Sequence, residues 1–227
     1  MPGLLALVGA AGPLLYVLLV TVLGLLWGGY DPIRDSMSEL GGVESPYGPL
    51  MNVAGFMALG ISILAFAAAY RLLLPRDPWK AVATVLLVVA GVFMVAVGFF
   101  PCDAGCVDVT RTGTLHSITS TPQAIALPLA AMVSAFVFGS DRRFGTAWQA
   151  FSGWTGLISL STGPVVATGT LEAVTGLVQR AGIGLSLLWM TAVSLKLHAL
   201  ARPGPTREPA NRVERGPDRG TTSPGGR

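Results

Sequence analysis

Three carboxylates at strict four-residue spacing, Asp31, Asp35 and Glu39, stand in the stretch GYDPIRDSMSELGG at 29–42. Only 12% of the chain is charged, against about 25% in a soluble domain. Carboxylates gathered in so uncharged a chain would attract cations or orient a base. A second polar stretch, FFPCDAGCVDVTRTGTLHSITSTPQ at 99–123, holds both cysteines of the chain, Cys102 and Cys106, with Asp103 between them. His116 follows, and Ser120 and Gln123 lie at i+4 and i+7 from it, so the three share one helical face. Imidazole changes charge near neutral pH and can act as a base or a metal ligand. A third stretch, TLEAVTGLVQR at 170–180, ends in Arg180, whose guanidinium suits a carboxylate or a phosphate.

These residue types permit several chemistries. A cysteine pair in an extracytoplasmic loop is expected to be disulfide-linked. Cys-x3-Cys with Asp103 and His116 supplies metal-ligand types but not the spacing of a zinc site, so no metal and no cofactor is assigned. GxSxG, HExxH and Walker A sequences are absent, and a Ser-His-Asp site would have to draw on Ser117 or Ser120 beside His116, where adjacency on one helix does not create attack geometry. The arrangement favoured by the sequence is a binding site: Asp103, His116 and Arg180 as its floor, Ser120 and Gln123 on its wall, Asp35 and Glu39 on its rim.

The elements that must position these groups are membrane helices. Hydrophobic residues make up 52% of the chain and its mean hydropathy is +0.62. A span needs about 20 apolar residues to cross about 30 Å of hydrocarbon, and such segments occur at 4–27, 51–73, 81–100, 117–138, 147–168 and 177–199. The fold class is therefore all-α, a polytopic six-transmembrane-helix bundle. The first apolar run carries no preceding Lys or Arg and exceeds the usual signal-peptide core, so it is expected to be a retained helix. Residues 1–200 form the membrane domain. The tail at 201–227, rich in Pro, Gly and Arg with no aromatic residue, is expected to be a disordered cytoplasmic segment.

Local signals refine the picture. Asp31-Pro32 reads as a helix start and Gly41-Gly42 as its stop, which predicts a short interfacial helix over about 31–40 with its acids on the wet face. Asn52 is expected to cap the second span or to bond across the mouth. Ser152, Thr155, Ser159 and Thr162 make a polar stripe on the fifth span before Gly163-Pro164 interrupts it. Small hydroxyl residues pack helices closely, and beside a helix break they can also line a cavity between the fourth and fifth spans.

Charge sets orientation. Of the 15 Lys and Arg, only Arg34, Arg111 and Arg180 fall on the side of the first, third and fifth loops, where Asp31, Asp35, Glu39, Glu44, Asp103, Asp108 and Glu172 lie. By the positive-inside rule both termini are cytoplasmic and these three loops face outward from the plasma (inner) membrane. The basic balance thus reports topology, and no nucleic-acid partner is expected.

Asp31-Pro32 with Ser38-x-Leu40 before the second span, Asn52, Phe100-Pro101-x-Asp103, His116 and Gln179-Arg180, taken in that order, resemble the bacterial six-helix membrane family catalogued as domain of unknown function 998. The resemblance implies a six-helix integral membrane fold and brings no activity, substrate or cofactor; it groups Asp103, His116 and Arg180 as a matched set and does not extend to the two cysteines. On function the sequence points to an outward polar site that binds or transports a small polar or cationic solute in the lipid bilayer, with a homo-oligomer as one way to complete a pathway. The alternatives are an enzyme acting on outer-leaflet lipid and a non-catalytic sensor or assembly partner. Topology is directly testable. Reporter fusions after Arg76, Arg143 and Arg202 should read cytoplasmic and fusions near Val43 and Val109 external; an external C-terminus would reverse the assignment.

Overall fold

The computed structural model describes residues 1–168 and 170–202. Nearly all of the expected tail, from 203 onward, lies outside the described residues. Six long helices carry the fold: α1 Pro2–Leu26, α2 Gly48–Leu73, α3 Pro78–Val97, α4 Arg111–Ser140, α5 Thr146–Ala167 and α6 Thr175–Leu200. No strand occurs among the described residues. Five of the six are long and apolar enough to cross a membrane; α5 is long enough but more polar. Its polarity is distributed as in a span, because Ser152, Thr155 and Ser159 are buried while Trp154, Leu157 and Ile158 are exposed. Water would favour the reverse arrangement, whereas hydrocarbon favours this one.

Each helix packs on the next, and α6 closes the ring against α1. The centre is filled by α2 and α6: Phe66 meets Trp189 edge to face with ring centroids 5.7 Å apart, and both are fully buried. Three polar contacts within the bundle join helices or a helix backbone across the core. The Ser62 hydroxyl donates to the Val8 carbonyl at 2.9 Å, Tyr70 and Ser134 share a hydrogen bond of 2.8 Å, and Trp189 Nε1 donates to Ser152 Oγ at 2.9 Å. Such bonds matter here because the lipid offers no alternative partner.

One end of the bundle holds the start of α1, the end of α6 and the short connections at 74–77 and 141–145. Asp77 caps α3, accepting from Trp79 N at 2.8 Å. The cations at this end bind helix-terminal carbonyls, Lys80 Nζ to Leu74 O at 2.8 Å and Arg143 Nη2 to Leu73 O at 3.0 Å, where the helix dipole favours positive charge. Arg143 also holds the Asp141 carboxylate at 2.7 Å, and this bond keeps Asp141 below the usual carboxylate range. The opposite end carries the long connection 27–47, the cysteine loop and the segment before α6.

Close approach of α2 and α3 depends on two glycines. A Cβ at Gly60 would sit 2.6 Å from Val95 N and 2.8 Å from the Gly91 carbonyl oxygen, so both backbones would have to part. Gly60→Val should therefore destabilise the bundle by about 1–3 kcal/mol, the usual range for overpacking, read as a lower thermal midpoint in detergent. An unchanged midpoint would show that the interface adjusts freely.

Candidate functional site

The connection 27–47 lies over the bundle as a lid, and its sequence explains how. The helix expected over 31–40 is confined to a single 3-10 segment, Met37–Gly41, preceded by a turn. The three carboxylates are spent on that geometry. Asp31 Oδ1 accepts from Ile33 N at 2.9 Å, Asp35 Oδ2 from Asp31 N at 2.7 Å, and Glu39 Oε1 from Ser36 N at 2.7 Å. Four-residue spacing here serves turn capping, in which short acidic side chains satisfy local amides.

Long-range bonds fix the lid to α6. Arg180 Nη1 donates to the Pro32 carbonyl and, at 3.0 Å, to the Asp35 carbonyl, while Nη2 donates to the Tyr30 hydroxyl. The guanidinium also lies 5.5 Å from the Tyr30 ring centroid. Burial raises the Tyr30 hydroxyl above its ordinary pKa, and the neighbouring guanidinium offsets part of that rise. Gln179 Oε1 accepts from Met37 N at 2.7 Å, and the Gly176 and Leu177 amides donate to Arg34 and Ile33 carbonyls at 3.0 Å each. On the far side, Asn52 Nδ2 reaches across the mouth to the Gly41 carbonyl at 3.0 Å from a π-helical stretch of α2, Met51–Met57. π-Helical turns of this kind recur at functional sites.

Asp103 is engaged within its own loop. Its carboxylate accepts from Val109 N at 2.9 Å, Thr110 N at 2.7 Å and Thr110 Oγ1 at 2.8 Å, and the Thr110 bonds hold it below the usual carboxylate range. His116, on α4, is buried, with Nδ1 2.7 Å from the Phe100 carbonyl. Asp103, His116 and Arg180 are thus bound to three different groups, and no ion pair joins Asp103 to Arg180 among the described residues. The sulfurs of Cys102 and Cys106 lie at bonding distance, 2.06 Å. They sit under the lid: Val43 N donates to Cys102 O at 3.0 Å, and Ser36 Oγ approaches Cys106 Sγ at 3.8 Å.

Beneath the lid lies a cavity of about 520 Å³, walled by α4, α5 and α6 and lined by Ser120, Gln123, Ser159, Gln179 and Ser186 among apolar residues including Tyr16, Phe56, Met94, Leu127 and Ile183. Met37 and Ser38 of the lid form its roof. Thr121 and Ala124 on α4 and Gly163 and Pro164 on α5 are exposed and line it, so it opens sideways between these two helices. The hydroxyls of Ser159 and Ser186 are buried with no hydrogen-bond partner among the described residues. A second cavity of about 490 Å³ lies between α1 and α6, lined by Tyr30, Trp27 and Arg180 and separated from the first by the shared residues Tyr16, Met37 and Ile183.

The structure therefore places Ser120 and Gln123 on a cavity wall, and places Asp35, Glu39, Asp103 and His116, the last on the helical face expected to be shared with them, outside the lining of both cavities. Tyr30, Gln179 and Ser186 are added to the candidate set. Gln179 next to Arg180, and a serine four residues after Gly182, were the available signals, since polar groups at membrane depth turn inward.

A ring of apolar-faced helices with a lid at one end and a sideways-opening chamber beneath it defines an integral, polytopic α-helical membrane protein. The chain belongs to the family described as Protein of unknown function (DUF998), whose profile matches residues 10–196. No curated protein and no solved structure matches it.

The Asp103 clasp yields a pH prediction. A carboxylate whose folded pKa is depressed contributes stability above its unfolded value, about 3.9, and loses it as pH falls through the lower folded value. Hydrogen-exchange protection of the Val109 and Thr110 amides should hold from neutral pH down to about 4 and fall below it. Asp103→Asn should remove that pH dependence; an unaltered profile would place the clasp elsewhere.

Proposed function

We propose that this protein binds a small, uncharged amphipathic molecule drawn sideways from the lipid into the chamber between α4, α5 and α6. The observation that carries the reading is the chamber itself, with two unpartnered serine hydroxyls on a mainly apolar wall. Ligand pockets typically occupy about 300–1,000 Å³ and combine apolar walls with a few placed polar groups. Ser159, Ser186, Ser120, Gln123 and Gln179 offer neutral donors and acceptors, and among the described residues no Asp, Glu, Lys, Arg or His lines this chamber. Its chemistry thus favours an uncharged head group over the cationic solute that the acidic lid suggests. The lid acids are engaged with lid amides, which leaves them a structural role and a general electrostatic one. We place the lid on the outer face of the plasma membrane and both termini in the cytoplasm, a reading supported by the basic residues gathered at the opposite end.

A photoreactive monoacylglycerol tests this directly. In membranes it should label peptides covering 120–128 and 159–166, and Ser186→Leu should lower labelling about tenfold by filling the chamber. Ser186→Ala, a gentler change, should weaken it about two- to tenfold through one lost hydrogen bond. Equal labelling of both variants and wild type, or stronger labelling by a cationic alkylammonium probe of the same length, would overturn the proposal.

A further inference from the structure

His116 presents an unusual combination. Its side chain is 4% exposed, Nδ1 faces a carbonyl that can only accept, and Nε2 is buried with no partner among the described residues. The Phe100 carbonyl therefore fixes the proton on Nδ1 and leaves the Nε2 lone pair free. A buried acceptor left unmatched is costly. Metal-binding histidines show this same arrangement, with one ring nitrogen tied to a carbonyl and the other left to coordinate. Nearby stand two soft ligands: a ring nitrogen of His116 and the sulfurs of Cys102 and Cys106 all lie within 4.8 Å of one another. Asp103 and Asp108, the other candidate ligands in this loop, are engaged by Val109 and Thr110 and by Ser117 respectively.

We propose that Cys102, Cys106 and His116 form a zinc site that is open only when the two cysteines are reduced. With the disulfide closed the sulfurs are bonded to each other and are poor ligands. A dithiol reductant supplied from outside the chain transfers two electrons and two protons to the disulfide, giving two thiols and a reductant disulfide. Zinc then displaces both thiol protons and binds two thiolates and the neutral His116 Nε2, a borderline-soft nitrogen and sulfur set that suits this ion and leaves a fourth position open. Disulfide and metal are alternative staples of the same turn, and the turn holds the lid through the Cys102 carbonyl and Val43. The site shares no residue with the lining of the amphiphile chamber, so the two readings fail independently.

The experiment uses the full chain in detergent and cobalt(II) as the spectroscopic probe for zinc. Protein purified without reductant should contain no free thiol and take up no cobalt at the site. After dithiol reduction and anaerobic desalting it should bind one equivalent, with a thiolate-to-cobalt charge-transfer band and tetrahedral visible bands that zinc abolishes. His116→Ala should weaken binding by about tenfold or more, and Cys106→Ser should remove the charge-transfer band. The oxidised and reduced wild-type proteins are compared without any substitution, so a misfolded variant leaves the test intact. Absence of the band in reduced wild-type protein, or the same affinity and spectrum in a folded His116→Ala protein, would overturn the site. Free thiols or cobalt uptake without reductant would overturn the redox gate.

Discussion

The architecture of the lidded end depends on one guanidinium. Arg180 stands near the start of α6 and donates to the Pro32 and Asp35 carbonyls and the Tyr30 hydroxyl, three acceptors from a single connection. Lipid cannot solvate irregular backbone, so a loop of this length over a membrane bundle needs donors of its own. Arginine suits the task because its planar fork stays charged and reaches several oxygens at once. With Gln179 and the Gly176 and Leu177 amides it holds Met37 and Ser38 in place as the roof of the chamber. A lysine at the same position would present a single ammonium where two separate guanidinium nitrogens now divide the work.

The division between acidic and basic ends follows from the same physics. At the basic end Lys80 and Arg143 bind helix-terminal carbonyls, and at the lidded end acids bind loop amides. Neither set enters the interior, where polar contacts are neutral: Ser62 to Val8, Tyr70 to Ser134, Trp189 to Ser152. Charge therefore orients the bundle, and hydroxyls join its helices. The chamber inherits this neutrality from its walls.

The membrane fold was legible in sequence because hydrocarbon imposes a length and an apolarity that few other environments demand. The inward turn of Ser152, Thr155 and Ser159 was legible too, since a polar stripe has one favourable direction in lipid. The lid was not. Asp31, Asp35 and Glu39 carry a helical period that turn capping also produces, and only the partners of their oxygens distinguish the two. The sequence groups Asp103, His116 and Arg180 as one floor, whereas in the structure each has a nearer partner, Thr110, Phe100 and Tyr30, in segments whose approach depends on tertiary packing. Ser186 gave little warning, since a serine in a span is ordinary until its hydroxyl is seen to lack a partner.

The ring closes between its first and last helices, and the closure reaches the first turn of α1, where His198 Nδ1 and the Gly3 carbonyl stand 2.9 Å apart. Chains are synthesised from the N-terminus at about 5–20 residues per second, so α1 enters the membrane well before α6 exists. Until then one flank of α1 and the small residues it offers to α6, Gly3 and Gly9 among them, face lipid or a foreign helix. The chamber has no third wall during that interval. A half-made chain is thus an open arc with two unsealed edges, and only the last helix turns it into a ring.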